Sequence, residues 1–336
     1  MKTRVLAIVD ADMDYANSLM EYISDKQGVP FRTIVFTEKE ALLEYVSKNK
    51  TDILLASASF IDDRICEEEN IKNIIQLSTD NVCPEHTEYH SIYKYQSTEN
   101  VIREVLDYYA DVHSNDGIMP ILKGKSEIIG VYSPLGRTGQ TTFALTLGQI
   151  LASEYSVLYI NMEEFSAFDK IFQKNYHGDL SDLMYFFKQN RESLSIKLQA
   201  IVNSMHGMDY VPPLVYSSDL RNISTEEWLD LIMSVSGIGN YDKIILDLSS
   251  MVSDVFDILD VCSQVYMPVS DDRISMLKIA SCEEYLLKSG REELADRIIK
   301  IKPPQFEGER WDENFWERQL WGKLGDFIRK MLREAA

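Results

Sequence analysis

Apolar positions in the first hundred residues fall into short runs separated by stretches of helical spacing. Val5 to Val9 is a compact apolar run closed by Asp10, and it predicts a buried strand. Tyr15, Leu19, Tyr22 and Ile23 then recur at the period of a helix. Phe31 to Phe36 predicts a second strand, and Ala41, Leu42, Tyr45 and Val46 a second helix. Ile53 to Leu55, Ile74 to Leu77 and Ile92 with Tyr93 supply three more strands, and Val101, Val105 and Tyr108 a closing helix. Alternation of this kind favours a parallel sheet covered on both faces. Ligand sites in such sheets lie at the carboxyl ends of the strands.

The pattern restarts after a turn-rich stretch. Residues Asp111 to Lys125 contain His113, Ser114, Asn115, Asp116, Gly117 and then Pro120, the composition of a linker. Ile128 to Tyr132 reads as a strand, followed by a helix through Phe143, Leu145, Leu147 and Ile150. Further strands are expected at Val157 to Ile160, at Tyr241 to Asp247, at Val265 to Val269 and at Ile298 to Ile301, and a short one ends at Pro212 and Pro213. Ser224 and Glu227 form a capping box ahead of Trp228, Leu229, Leu231 and Ile232. Leu183, Phe186 and Phe187 at helical spacing read as core or subunit interface. The expected fold class is α/β with two domains. One parallel-sheet domain is expected over 1–115, a linker over 116–125 and a second parallel-sheet domain over 126–336.

Composition narrows the function classes. The chain has 336 residues with 34 basic and 54 acidic side chains, a net charge of −20. Half of that excess falls in residues 1–115, and no basic run interrupts it, so nucleic acid is not an expected partner. No apolar run approaches the roughly 18 residues needed to cross a bilayer. Cys66, Cys83, Cys262 and Cys282 form no CxxC pair, which favours reduced thiols in the cytoplasm. Cys66, Cys83, His86 and His90 match no standard zinc spacing and are expected to be solvated loop residues. At the C-terminus, Leu324, Phe327, Ile328, Met331 and Leu332 make an apolar stripe. Residues 311–336 carry five basic and five acidic side chains, so the stripe is expected against protein rather than against an anionic membrane.

Two sets of residues carry candidate chemistry. The first lies at the predicted strand ends of residues 1–115. Asp10 and Asp12 follow the first strand, Ser57 ends the third, and Lys94 ends the fifth. The second is Ser133 to Thr142, reading SPLGRTGQTT between a strand and a helix. Strand, glycine-bearing loop, threonine and helix is the layout of a phosphate-binding P-loop. Gly136, Arg137, Thr138, Gly139, Gln140, Thr141 and Thr142 are its candidate phosphate contacts, through backbone N–H groups and the helix N-terminus. Thr141 is placed to ligate Mg2+. Asp247, an acid at the end of an apolar strand, resembles a Walker B aspartate and is the second candidate for the Mg2+ shell. The loop departs from GxxxxGK[ST] at Pro134, where the first Gly belongs, and at Gln140, where the Lys belongs. A relic loop that binds nothing is the alternative.

The order of these motifs resembles two families joined in one chain, a receiver-like (flavodoxin-like) parallel sheet over 1–115 and a P-loop NTPase parallel-sheet domain over 126–336. Asp10, Asp12 and Lys94 resemble the acidic pair and lysine of response-regulator receiver domains, in which the pair holds Mg2+ and the lysine contacts an aspartyl phosphate. Ser57 stands where the phosphoacceptor Asp belongs, and a hydroxyl cannot serve as that nucleophile. The resemblance therefore implies a pseudo-receiver without phosphotransfer. An ordinary flavodoxin-like domain with two surface aspartates is the alternative. The Ser133–Thr142 loop, Asn161 to Phe165 and Asp247 resemble the ParA/MinD superfamily of deviant-Walker ATPases. With the receiver-like module, and with Gly178 to Asp182 and Leu320 to Arg329, the chain resembles the CpaE-type proteins of Tad pilus assembly, in a clostridial branch. The resemblance implies ATP and Mg2+ as cofactors, a nucleotide-dependent homodimer, and protein partners in pilus or secretion machinery. It maps the switch I acids to Asn161 and Glu163, with Glu163 as the residue that positions water and Asp247 as its catalytic companion. It also places Lys302 and Pro303 beside the adenine. The family's signature lysine falls at Leu135, and Arg137 is its candidate surrogate; an exposed arginine without a role is the alternative. Gln140 can hydrogen-bond phosphate without neutralising it, so weakened binding and slow or absent hydrolysis are expected. Asp271 and Asp272 are expected at a solvated helix start.

Overall fold

The computed structural model describes residues 4–25, 29, 31–79, 89–112, 125–166, 168, 176–189, 191, 194–214, 222–250, 252–304 and 314–335. The chain divides into two compact units, Met1–Met119 with Glu192–Ala200, and Pro120–Arg191 with Ile201–Ala336. Of the expected linker 116–125, only Lys125 lies among the described residues.

The first unit is a five-stranded sheet in the order β2-β1-β3-β4-β5. Its strands are β1 (Arg4–Val9), β2 (Phe31–Phe36), β3 (Ile53–Ser57), β4 (Ile74–Ser78) and β5 (His90–Tyr93). All four pairings are parallel. This is the flavodoxin-like strand order. The helices are α1 (Met13–Asp25), α2 (Lys39–Val46), α3 (Asp63–Cys66) and α4 (Thr98–Val112). Alternation places Ala7, Val9, Leu54 and Ala56 on one face, where they pack with Leu42, Val46 and Ile65. Asp52 works at the opposite end from the candidate site. Its carboxylate accepts from the Val5 N–H at 2.9 Å and from Lys72 at 2.8 Å, which pins the register of β1 and β3. The polar stretch Asp80 to His90, expected as an eroded helix broken by Pro84, lies outside the described residues except for Tyr89 and for His90, which opens β5.

The second unit is a seven-stranded sheet in the order β12-β11-β6-β10-β7-β9-β8. Its strands are β6 (Glu127–Tyr132), β7 (Val157–Met162), β8 (Asn203–Met205), β9 (Met208–Val211), β10 (Lys243–Leu248), β11 (Gln264–Pro268) and β12 (Ile298–Ile301). Every pairing is parallel except the β8–β9 hairpin. That hairpin turns on His206 at φ 48° and Gly207 at φ 82°, the two positive angles of a type I′ turn. The chain also forms α5 (Gln140–Leu151), α6 (Leu180–Gln189), α7 (Leu194–Ile201), α8 (Thr225–Ile238), α9 (Val255–Asp260), α10 (Arg273–Lys288), α11 (Glu292–Arg297), α12 (Phe315–Trp321) and α13 (Lys323–Ala335). The capping box of α8 is present, with the Ser224 hydroxyl accepting from the Glu227 N–H.

Helix α5 is buried on nearly all sides, which its apolar sequence requires. Gly148 lies where α5 meets the sheet most closely, and a Cβ there would come 2.2 Å from the Met208 sulfur. Phe143, Leu147 and Leu151 share one core with Ile245, Met208, Tyr266, Leu324 and Ile328. The C-terminal stripe therefore packs into the second unit, with Phe327, Met331 and Leu332 half-buried beside it. Leu183, Phe186 and Phe187 are likewise core. Trp321 is 73% exposed, and the Arg329 guanidinium lies 4.9 Å from its ring centre. No helix among the described residues is long and apolar enough to cross a membrane. Ile328→Ala should cost about 2–5 kcal/mol because it opens a cavity in this core. Trp321→Ala should cost less than about 1 kcal/mol. Urea unfolding of the two variants measures the contrast.

Candidate functional site

The loop from Ser133 to Gly139 leaves the carboxyl end of β6, a central strand, and enters α5. Its start is tied to the neighbouring strand. The Ser133 hydroxyl donates to the Pro268 carbonyl at 2.7 Å and accepts from the Leu135 N–H at 3.2 Å. Gly139 is the N-cap of α5 in left-handed geometry, φ 75° and ψ 21°, a conformation cheap only for glycine. Its carbonyl accepts the first helical bond from the Phe143 N–H at 2.9 Å. The other first-turn N–H groups of a helix have no intrahelical partner and favour anions. Arg137 also has positive φ, 61°, and its side chain is exposed. Leu135, where the sequence resemblance would put a signature lysine, is buried.

The loop walls an open pocket of about 350 Å3. Gly136, Arg137, Thr138, Gly139, Gln140, Thr141 and Thr142 all line it, joined by Glu163 and by Leu248, Ser249 and Ser250. The strand order explains the gathering. β10 lies beside β6 and β7, with Asp247 in register with Val131 and with Asn161, so the ends of three strands open into one place. The Thr138 hydroxyl oxygen is enclosed and has no hydrogen-bond partner among the described residues. Such an orphan costs about 1–3 kcal/mol unless something supplies a partner.

Asp247 is the buried centre of the site. Its Oδ1 accepts from Gln140 Nε2 at 2.6 Å and its Oδ2 from the Tyr159 hydroxyl at 2.8 Å. The Thr141 hydroxyl is a third hydrogen-bond partner. Gln140 Nε2 also donates to the Leu248 carbonyl at 2.8 Å, so the amide at the Walker lysine position is committed to β10. Asn161 Nδ2 donates to the Tyr159 oxygen at 3.1 Å and to Glu163 Oε2 at 3.2 Å, linking Asp247 to Glu163. Burial, and then the charge of Glu163, push the Asp247 carboxyl up to about 7 against the opposing bonds from Gln140, Tyr159 and Thr141. Burial, followed by the charges of Asp247 and Glu163, raises the Tyr159 hydroxyl, which stays a donor.

Lys302 and Pro303, expected beside the adenine, are not among the residues that line this pocket; they follow the edge strand β12, where Lys302 pairs with Asp271 and Pro303 is buried. Asp272 caps α10, accepting from the Ser275 N–H at 3.0 Å, and this bonding holds its carboxyl down at about 2. Sequence reasoning missed Tyr159, Ser249 and Ser250. Tyr159 sits inside an apolar strand, where only its hydroxyl marks it. The two serines directly follow Leu248 at the end of β10, which was the available signal.

The first unit holds a separate constellation. Lys94 Nζ lies 2.8 and 2.7 Å from the two Asp10 oxygens, and the Ser57 hydroxyl donates to the same carboxylate. The Asp12 N–H donates to Asp10 Oδ1 at 2.8 Å, while the Asp12 side chain accepts from the Tyr15 N–H at 3.1 Å. Burial acts to raise Asp10, but the bonds from Lys94, Ser57 and Asp12 outweigh it and hold the carboxyl below the usual range. The β3 end thus offers a hydroxyl and no second carboxylate. Cys66 is exposed, His90 stacks on Tyr108 at 4.5 Å, and Cys83 and His86 lie outside the described residues. Among the described residues no group of three or more His, Cys, Asp or Glu is placed to hold a metal.

No protein-family model matches the chain, and no curated protein does. Among solved structures it is similar to a plasmid partition protein from Borrelia burgdorferi bound to AMPPNP. That match has 16% identity over 63% of this chain and 100% of the other, with a TM-score of 0.43. The ATP complex of Cyanothece McdA gives 14% identity, 62% and 97% coverage, and a TM-score of 0.45. The kinase domain of VpsO gives 19%, 61% and 93%, and 0.43.

Because Asp247 titrates near 7 when folded and near 3.8 when unfolded, the folded chain holds this proton the more tightly. The contribution is full below the unfolded value and is lost as pH rises through about 7. Asp247→Asn should therefore gain thermal stability relative to the native chain between pH 4 and 8, as thermal melts across that range would show. In the first unit, Lys94→Met strands a buried carboxylate and should cost about 3–5 kcal/mol, most of it recovered when Asp10→Asn is added. A double-mutant cycle by chemical denaturation checks that recovery.

Proposed function

We propose that the chain is an ATP-binding, dimerising spatial or assembly regulator of the ParA/MinD superfamily, CpaE-like, serving pilus or secretion machinery in the cytoplasm with weak or absent hydrolysis. The supporting observation is the convergence of a glycine-capped loop, the N-terminus of α5, Thr141 and Asp247 on one pocket. The pocket's volume falls in the range of small-molecule sites, and its enclosed Thr138 hydroxyl fits a ligand rich in acceptors.

In this reading the loop N–H groups and the α5 N-terminus hold the phosphates, and Thr141 and Asp247 hold the Mg2+. When bound, Mg2+ neutralises phosphate charge. Glu163, steered by Asn161, orients a water at the pocket wall. Gln140 supplies no charge, and its amide must leave Asp247 and Leu248 to reach phosphate. A charged hydrogen bond contributes about 1.5–3 kcal/mol net, so its loss weakens binding roughly ten- to a hundredfold. Arg137, exposed at the loop, is the cation available to phosphate, its own or that of a paired copy. The first unit serves as a pseudo-receiver, an interaction module in which Lys94 and Ser57 satisfy Asp10 and no acceptor carboxylate stands at β3.

A second reading is an ATP-sensing scaffold without turnover, favoured by the two bonds that hold Gln140 away from phosphate. The net charge of −20 and the lack of a basic stripe weigh against a DNA-partitioning role. Calorimetric titration of Mg-ATP into the native chain and into Gln140→Lys, with turnover assayed on the same samples, tests the proposal. Binding by both, tighter by about tenfold or more in Gln140→Lys, is the expected result. Hydrolysis confined to Gln140→Lys selects the scaffold reading. Failure of both to bind overturns the proposal.

A further inference from the structure

Asp247 is cut off from the pocket beside it. It is fully buried and does not line that pocket, whereas Gln140, Thr141 and Leu248 do. Gln140 is the first residue of α5, and its side chain turns to the end of β10. The Leu248 carbonyl can only accept, so the amide presents its NH2 group there, and the same nitrogen reaches Asp247 Oδ1 at 2.6 Å. One hydrogen for each partner uses both donors of the amide. What remains is a carbonyl oxygen, an acceptor that a phosphate cannot use.

The same group stands in the way of a cation. The donors around Asp247 suit a hard divalent ion, since its carboxylate, the Thr141 hydroxyl and the Glu163 carboxylate at the pocket wall are all oxygens. Oδ2 is held by Tyr159, itself fully buried within β7. Oδ1 is held by the pocket-lining Gln140, which covers it with the positive end of its amide. A cation must break that bond to reach Oδ1. Mg2+ also gives up its own water reluctantly. The amide, by contrast, is already tethered to the chain and anchored by a second acceptor.

We propose that the Gln140 amide and a divalent cation compete for Asp247, so that the cation adds little to nucleotide binding by this chain. The proposal rests on reading the pocket as a nucleotide site. With the amide in place, the phosphates lie against the loop N–H groups, the α5 N-terminus and Arg137, the one basic side chain lining the pocket among the described residues. When a cation takes Asp247, the amide is released and its donors become free for phosphate. Gln140 thus sets the metal dependence of the site, beyond being a missing charge. A residue that served only to satisfy a buried acid would leave that dependence unaltered on its removal.

Calorimetric titration of ATP into the full chain, in excess Mg2+ and separately in EDTA, tests the competition, at a pH above the value of about 7 near which Asp247 titrates. For the native chain the two affinities should lie within about threefold of each other. In Gln140→Ala, which uncovers Asp247, Mg2+ should tighten binding by about tenfold or more, the worth of one hydrogen bond to a charged group. Adding Asp247→Asn should bring the two affinities back together. Each ratio is taken within one variant, so the phosphate contact that Gln140→Ala loses cancels. Gln140→Ser removes the amide with a different side chain, and far-UV circular dichroism checks that each variant is folded. A native chain that gains as much from Mg2+ as Gln140→Ala does overturns the proposal and leaves the nucleotide site standing. So do Gln140→Ala and Gln140→Ser chains as indifferent to Mg2+ as the native one, or a metal dependence that survives Asp247→Asn. Failure of every chain to bind ATP in either condition overturns the nucleotide reading itself, and this proposal with it.

Discussion

A carboxylate buried at the end of a central strand governs the second unit. Asp247 has no accessible surface, and its bonded partners are Gln140, Tyr159 and Thr141. None carries a charge. Burial without a cation favours the protonated acid, and the direction of its pKa follows. The same three bonds fix the first turn of α5 and the ends of β7 and β10 in one arrangement. The pocket geometry is thus a consequence of satisfying one acid with neutral donors.

The first unit resolves the same problem in the opposite way. Asp10 is equally buried at the end of β1, but Lys94 answers it directly and its carboxyl lies low. One unit is electrostatically complete within itself; the other is short of positive charge. Leu135 is buried and Gln140 is neutral, so two positions where charge was expected supply none. On the proposed reading, a divalent cation or Arg137 would supply what the pocket lacks.

The fold was legible where apolar runs are uninterrupted. β1, β6 and β10 followed from Val5 to Val9, Ile128 to Tyr132 and the run ending at Asp247, and the capping box at Ser224 from its spacing alone. The site was legible as far as the loop and the strand ends adjacent to it. The type I′ turn was not, because His206 is a poor advertisement for positive φ and only Gly207 signals it. Strand order was not legible either, and it is what sets the ends of β6, β10 and β7 side by side at the pocket. Residues Glu192–Ala200 group with the first unit although the chain around them belongs to the second, a relation that no local pattern encodes.

The backbone at Arg137 completes the electrostatic argument. A left-handed conformation costs a residue with a Cβ roughly 1–2 kcal/mol, and glycine would remove that cost. Gly136 precedes it and Gly139 follows shortly, so the loop is already rich in the residue that would relieve the strain. The chain keeps an arginine there instead, exposed, at the mouth of a pocket whose other cationic positions are neutral. Flexibility cannot account for that choice, because glycine offers more of it. On the proposed reading, a positive charge at this exposed position accounts for it. On that reading the neutral Gln140 becomes tolerable: it satisfies Asp247 from within, while Arg137 would bring charge to a phosphate from outside.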